Sequence, residues 1–113
     1  MNLNELRIAN VKRCEQVFHP LHAWSAAEWA CAMAGEAGED CNVAKKIKRL
    51  ETGTNTAKDP ATLDECRVLM GKELADTVIY ADLLAASLGI DLGAAIRDKF
   101  NEVSKRMHSD VRL

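Results

Sequence analysis

The stretches AMAGEAGEDCNVAKKIK, residues 32–48, and GKELADTVIYADLLAASLGI, residues 71–90, decide the fold class of this chain. Each contains one acidic doublet at helical spacing among mostly apolar residues: Glu36 with Glu39, and Glu73 with Asp76. Residues three apart lie on the same side of a helix, with Cβ atoms about 5–6 Å apart. Two such helices facing each other would bring four carboxylates together, and the repulsion between those charges requires a cation.

The composition outside these stretches is also typical of helices. Ala, Leu, Glu and Lys are abundant, there are two prolines, and β-branched runs are nearly absent. We therefore predict an all-α fold, a four-helix bundle that forms one domain over residues 1–113. The predicted helices cover about residues 3–17, from a cap at Ser25 to about Leu50, from near Thr62 to before Gly89, and from a cap at Asp91 to about Met107.

A polar linker, ETGTNTAKDPAT at residues 51–62, separates the second and third predicted helices. A connection of about a dozen residues is long for a compact domain, and such segments are often lids, binding loops or disordered. A lid and a disordered loop are equally compatible with this composition.

Length, charge and cysteine usage bound the function classes. A chain of 113 residues can bury a sufficient core, and a net charge of -2 gives no bias towards nucleic acid or an anionic membrane. No apolar run approaches the length of a membrane span, and the N-terminus does not resemble a signal peptide. The four cysteines form no CxxC pair and lie within apolar-periodic stretches, which favours buried free thiols in a reducing cytoplasm.

The helical wheel places the acidic doublets among apolar side chains. On the second predicted helix, Glu36 falls within a stripe that contains Trp29 and Val43, and Glu39 lies at the edge of that stripe. On the third, Glu73 and Asp76 share a face with four larger side chains: Leu69, Tyr80, Leu83 and Leu84. This position is unusual for solvated surface charges.

One other interpretation of the doublets remains open, and so does the role of the neighbouring Asp40. The doublets could form salt bridges to neighbouring helices, with Lys72, Lys99 or Arg106 as partners. Asp40 also lies towards the inner arc of the second helix, where assistance to a metal site and a bond to a neighbouring helix are equally compatible with its position.

The ligand chemistry favours a hard divalent cation. Neither doublet is followed by the histidine of the Glu-x-x-His motifs found in di-iron bundles. Ligation by carboxylates alone points to Mg²⁺, or to Mn²⁺. Because Mg²⁺ is usually bound together with substrate phosphates, a phosphate ester or anhydride is the expected substrate class.

Two cations of the last helix and two aromatic residues complete the candidate site. Lys99 and Arg106 lie along the apolar face of that helix, about 10.5 Å apart, where they would contact phosphates. Snorkelling to solvent is the alternative for both. Trp24 would stack on a base and Tyr80 would line the same pocket, although core packing is the better interpretation of each aromatic residue taken alone.

The two stretches in their context, together with the Gly-Ile-Asp turn at residues 89–91 and the basic last helix, resemble the MazG-like nucleoside triphosphate pyrophosphohydrolases. The resemblance extends over about residues 22–107. It implies Glu36, Glu39, Glu73 and Asp76 as Mg²⁺ ligands, Lys99 and Arg106 as phosphate contacts, and Tyr80 in the base pocket. It further implies a homodimer or homotetramer. Many relatives carry Asn four residues after the lysine of the last helix, where this chain has Val103.

The activity expected from the resemblance is Mg²⁺-dependent hydrolysis of a (deoxy)nucleoside triphosphate to the monophosphate and pyrophosphate, a housecleaning role in the nucleotide pool. Glu39 is the expected catalytic carboxylate, which would orient or deprotonate the attacking water. Phosphoribosyl-ATP is an alternative substrate. A helical interaction module without catalytic activity is the alternative from another class of protein.

Overall fold

The computed structural model describes residues 1–113 and contains four α-helices and no strands. The predicted all-α class is confirmed. The helices are α1 (Leu3–Arg13), α2 (Ala26–Thr52), α3 (Leu63–Ser87) and α4 (Leu92–Arg106). A π-helical turn at Cys14–Phe18 extends α1, and a 3₁₀ turn at Leu21–Ala23 precedes α2.

Three of the helix ends follow signals that the sequence carries. The Asp91 side chain accepts a hydrogen bond of 2.9 Å from the Ala94 N–H at the start of α4. Gly89, with φ of +66°, adopts the left-handed conformation that often ends a helix. The Thr62 hydroxyl accepts a bond from the Glu65 N–H, and the Glu65 carboxylate accepts one from the N–H of Ala61.

The chain divides into two compact units, Met1–Ala26 with Asp82–Leu113, and Ala27–Ala81. In the first unit a buried polar cluster joins α1 to the end of α3. Asp82 is 1% exposed and accepts hydrogen bonds from Arg7 Nε at 2.8 Å and from Asn10 Nδ2 at 3.1 Å. Arg7 also donates to the carbonyl of Ile90. This cluster has no counterpart among the predicted features.

The second unit consists of α2, the residue 53–62 loop and the first five turns of α3. Side-chain contacts pair Trp29 with Tyr80 and Asp40 with Thr77, which is the order expected for two antiparallel helices. Trp29 and Val43 are buried on the inner side of α2, as the wheel predicts. The two acidic doublets therefore belong to one helical hairpin.

The loop that follows α2 has a defined conformation with Asp59 at its centre. The Asp59 carboxylate accepts bonds from Arg49 at 3.2 Å and from the N–H of Thr56 at 3.0 Å. These bonds, with the Thr56 N–H contributing most, lower the pKa of Asp59. The loop is thus tied to the last turns of α2.

No single helix is long and apolar enough to cross a membrane, and α3 and α4 reach the required length and composition only when both are counted across the bend between them.

Candidate metal centre

Three of the four predicted metal ligands lie together in the α2–α3 hairpin. Carboxylate oxygens of Glu36, Glu73 and Asp76 all lie within 4.8 Å of one another. Glu36 and Glu73 are half-buried, whereas Asp76 is exposed at the edge of the group. An oxygen-only group of this size, open on one side, can hold a hard divalent cation and still leave positions for waters or a ligand.

The position of Glu36 follows from the packing of α2. Glu36 lies seven residues, or about two helical turns, from each of the buried residues Trp29 and Val43. It therefore lies on the same side of α2, and its carboxylate emerges from an apolar face. Burial, followed by the charges of Asp76 and Glu73, raises the pKa of Glu36. The cation-free hairpin therefore contains repulsion that a bound cation would remove.

Glu39, the fourth predicted ligand, is exposed and lies outside the group of three. A spacing of three residues corresponds to about 300° of helix rotation, which leaves Glu39 about 60° away from Glu36. Its charge still contributes to the raised pKa of Glu36. Glu39 is therefore near the group but faces solvent.

Asp40 connects the two helices that carry the ligands. Its Oδ2 accepts a hydrogen bond of 2.9 Å from the Thr77 hydroxyl, directly after Asp76 on α3. Its Oδ1 is shielded from solvent and has no hydrogen-bond partner within the protein. The wheel places Asp40 on the inner arc, but the partner on α3 could not be read from the sequence.

The two aromatic residues predicted to bind a base are both packed against other rings. Tyr80 is half-buried, with its ring centroid 6.3 Å from that of the buried Trp29 and an angle of 50° between the planes. In the other unit, Trp24 lies 4.5 Å from His19, ring to ring. These contacts fix the orientation of each ring.

The two predicted phosphate ligands belong to the first unit, on α4. Lys99 Nζ lies 2.6 Å from Glu102 Oε1, and both side chains are exposed. The hydrogen bond from Lys99 and its charge lower the pKa of Glu102, and Arg106 adds a smaller effect. Lys99 also borders an apolar groove of about 670 Å³ on α4, whose lining includes Leu92, Ile96, Phe100, Val103 and Met107. The apolar face predicted for α4 therefore borders a solvent-accessible groove.

Thr77 is a residue of the site that sequence reasoning missed. The signal available was its position directly after Asp76. A hydroxyl at such a position has too many possible partners, backbone carbonyls included, for the sequence to assign one.

No protein-family model matches the chain, and no match is found among the curated proteins.

Proposed function

We propose that this protein hydrolyses a (deoxy)nucleoside triphosphate to the monophosphate and pyrophosphate with the help of Mg²⁺, a role in nucleotide-pool housecleaning. The observation that carries the proposal is the group of Glu36, Glu73 and Asp76, assembled from two helices within one hairpin. A resemblance to the MazG-like pyrophosphohydrolases in the same residues supports the choice of reaction.

The donor set fits a hard divalent cation. Three carboxylates supply oxygen ligands, and none of them forms an ion pair with a basic side chain, so their charge is uncompensated within the protein. Mg²⁺ and Mn²⁺ both accept such ligands. When bound there, the cation would neutralise charge on the triphosphate.

Glu39 is the side chain we assign to the attacking water. Its carboxylate is exposed beside Glu36, so water reaches it without any rearrangement of the hairpin. In the proposed reaction the water oxygen bonds to the α-phosphorus while the bond from that phosphorus to the bridging oxygen breaks. Pyrophosphate leaves, and Glu39 orients the water or takes its proton.

The contacts that we propose to the rest of the nucleotide rest on the resemblance for Lys99, Arg106 and Tyr80, and on its position before α2 for Trp24. We propose that Lys99 and Arg106 contact phosphates and that Tyr80 and Trp24 contact the base. The exposed Lys99–Glu102 pair is no obstacle, because exposed ion pairs contribute little stability and a phosphate can replace the carboxylate. Tyr80 already has a fixed ring plane against Trp29.

A homodimer or homotetramer is the assembly we propose, on the basis of α3. Leu74 and Val78 are 50% and 47% exposed and lie one turn apart, on the side of α3 that faces away from Glu73 and Asp76. Exposed apolar side chains in a row mark an interaction surface, and a second copy would cover them.

All four cysteines are free thiols, but only Cys14 and Cys66 are buried as predicted, whereas Cys31 and Cys41 are exposed because they lie on the outer side of α2. Free thiols suit the reducing cytoplasm in which we place the protein.

The test is a panel of nucleoside triphosphates, deoxynucleoside triphosphates and phosphoribosyl-ATP, incubated with Mg²⁺ and assayed separately for pyrophosphate and for orthophosphate. We expect pyrophosphate from at least one deoxynucleotide, and none from the Glu36→Gln variant. Turnover of phosphoribosyl-ATP alone would move the assignment to that substrate. Absence of pyrophosphate from every compound would leave the non-catalytic interaction module as the function.

A further inference from the structure

Five acidic side chains of this protein are withdrawn from full solvent exposure, and they divide into two kinds. Asp82 is paired with Arg7, and Asp59 is paired with Arg49. The other three have no basic partner and all lie in the α2–α3 hairpin: Glu36, Glu73 and Asp40. Wherever else this protein withdraws a carboxylate from solvent, it supplies an arginine.

Asp40 is the most constrained of these three carboxylates. Its Oδ2 is occupied by the Thr77 hydroxyl, and its Oδ1 is both shielded from solvent and without a donor. A buried carboxylate with one oxygen unsatisfied costs free energy, and such a group in a native structure calls for a missing partner. The Thr77 hydroxyl is uncharged, so it gives Asp40 a hydrogen bond but does not neutralise the charge of the carboxylate.

The direction of Asp40 on α2 brings its charge towards the cation site. Four residues separate Asp40 from Glu36, which is about 40° of rotation, compared with about 60° for Glu39. The charge of Asp40 is also among those that act on Glu36. Asp40 is nevertheless outside the group of three whose oxygens lie within 4.8 Å of one another.

We propose that Asp40 is a charge-supplying residue of the cation site: Thr77 holds its carboxylate in the hairpin, and a divalent cation bound by Glu36, Glu73 and Asp76 is its counter-charge. Asp40 acts through space, without contacting the cation directly. This inference rests on the cation site of the proposed function, but not on hydrolysis. The number of negative charges around a site is one of the means by which proteins set cation affinity.

The charge and the hydrogen bond can be separated by two near-isosteric variants. Asp40→Asn removes the charge and retains an oxygen that accepts from Thr77. Thr77→Val retains the charge and removes the donor. The matched control is Asp64→Asn, which removes one carboxylate from the exposed start of the same helix, α3.

The experiment measures the dissociation constant of Mn²⁺ alone, by titration calorimetry and by electron paramagnetic resonance of free Mn²⁺, with the melting temperature of each cation-free variant as a check of folding. We expect Asp40→Asn to weaken Mn²⁺ binding about tenfold, the lower end of what changes beyond the direct ligands usually cost. We expect Thr77→Val to melt at a lower temperature but to bind Mn²⁺ within about twofold of wild type. We expect Asp64→Asn to leave the dissociation constant unchanged and to melt within about 2 °C of wild type.

Each alternative outcome decides the question. An unchanged dissociation constant in Asp40→Asn overturns the inference, and so does an equal loss in Thr77→Val, since geometry rather than charge would then be responsible. If Asp40→Asn does not fold, Asp40→Ser removes the same charge and is read in the same way. If Glu36→Gln abolishes Mn²⁺ binding while Asp40→Asn leaves the dissociation constant unchanged, the inference fails and the proposed function stands. Failure of the wild-type protein to bind Mn²⁺ would overturn both.

Discussion

Replacing Asp82 by asparagine tests whether the buried cluster in the first unit stabilises the protein. The substitution preserves shape, so no cavity forms, but it leaves the Arg7 guanidinium without its counter-charge and turns an amide N–H₂ towards the Asn10 donor. Removal of one partner from a buried ion pair typically costs 3–5 kcal/mol. Because Arg7 keeps its bond to the Ile90 carbonyl and its side chain is 26% exposed, we expect the lower end, about 3 kcal/mol.

The expected change in melting temperature follows from chain length. An unfolding entropy of about 2.1 cal/mol/K per residue over 113 residues converts each kcal/mol into about 4 °C. Asp82→Asn should therefore melt about 12 °C below wild type in a thermal scan followed by circular dichroism at 222 nm, at a fixed protein concentration.

The chain provides a matched control for this experiment. Asp64 also lies 2.8 Å from an arginine nitrogen, that of Arg67, but the two side chains are 87% and 67% exposed. Asp64→Asn should cost under about 0.5 kcal/mol, or roughly 2 °C. If the two variants melt within about 2 °C of each other, burial does not decide the strength of these pairs and the reasoning is refuted.

Two further perturbations act on carboxylates whose pKa is shifted in opposite directions. Glu36→Gln removes a charge that is repelled in the fold, so the cation-free variant should melt above wild type and, unlike wild type, should gain no stability from added Mg²⁺ in a thermal-shift assay; a variant that melts lower would contradict the raised pKa. Asp59→Asn should loosen the residue 53–62 loop and lower the melting temperature at neutral pH. Since the folded pKa of Asp59 is lowered, its stabilisation is present above the unfolded pKa and is lost as pH falls through the folded pKa. The melting temperatures of variant and wild type should therefore converge in acid, and a difference that persists there would argue against an ionic role.

The local features of this fold could be read from the sequence because their causes are local. Spacing alone placed Glu36 and the buried Trp29 on one side of α2, and the cap at Asp91 needs only the three residues that follow it. The position of Glu39 was harder to predict. Because a helix turns about 100° per residue, residues three apart differ by about 60° in direction, so one acid of a doublet can face the core while the other faces solvent.

Long-range pairs could not be predicted from one sequence. Arg7 and Asp82 are 75 residues apart, and any of the basic residues was an equal candidate to neutralise that aspartate. The signal was nevertheless present, since Asp82 interrupts the apolar run IYADLLAAS in the same way as the acidic doublets interrupt theirs. An isolated acid in an apolar helix indicates a buried partner without identifying it.

The two faces of α3 can evolve independently. Leu74 and Val78 point away from the acids, so substitutions at these two positions leave the surroundings of the carboxylates unchanged and, in the assembly proposed above, would alter self-association alone. In terms of that proposal, a lineage that drifts along the apolar face would change its concentration dependence and keep the same carboxylate group. The same separation is useful in the laboratory. Polar residues at these two positions would reduce the exposed apolar area of the protein for spectroscopy and leave its carboxylate group unaltered.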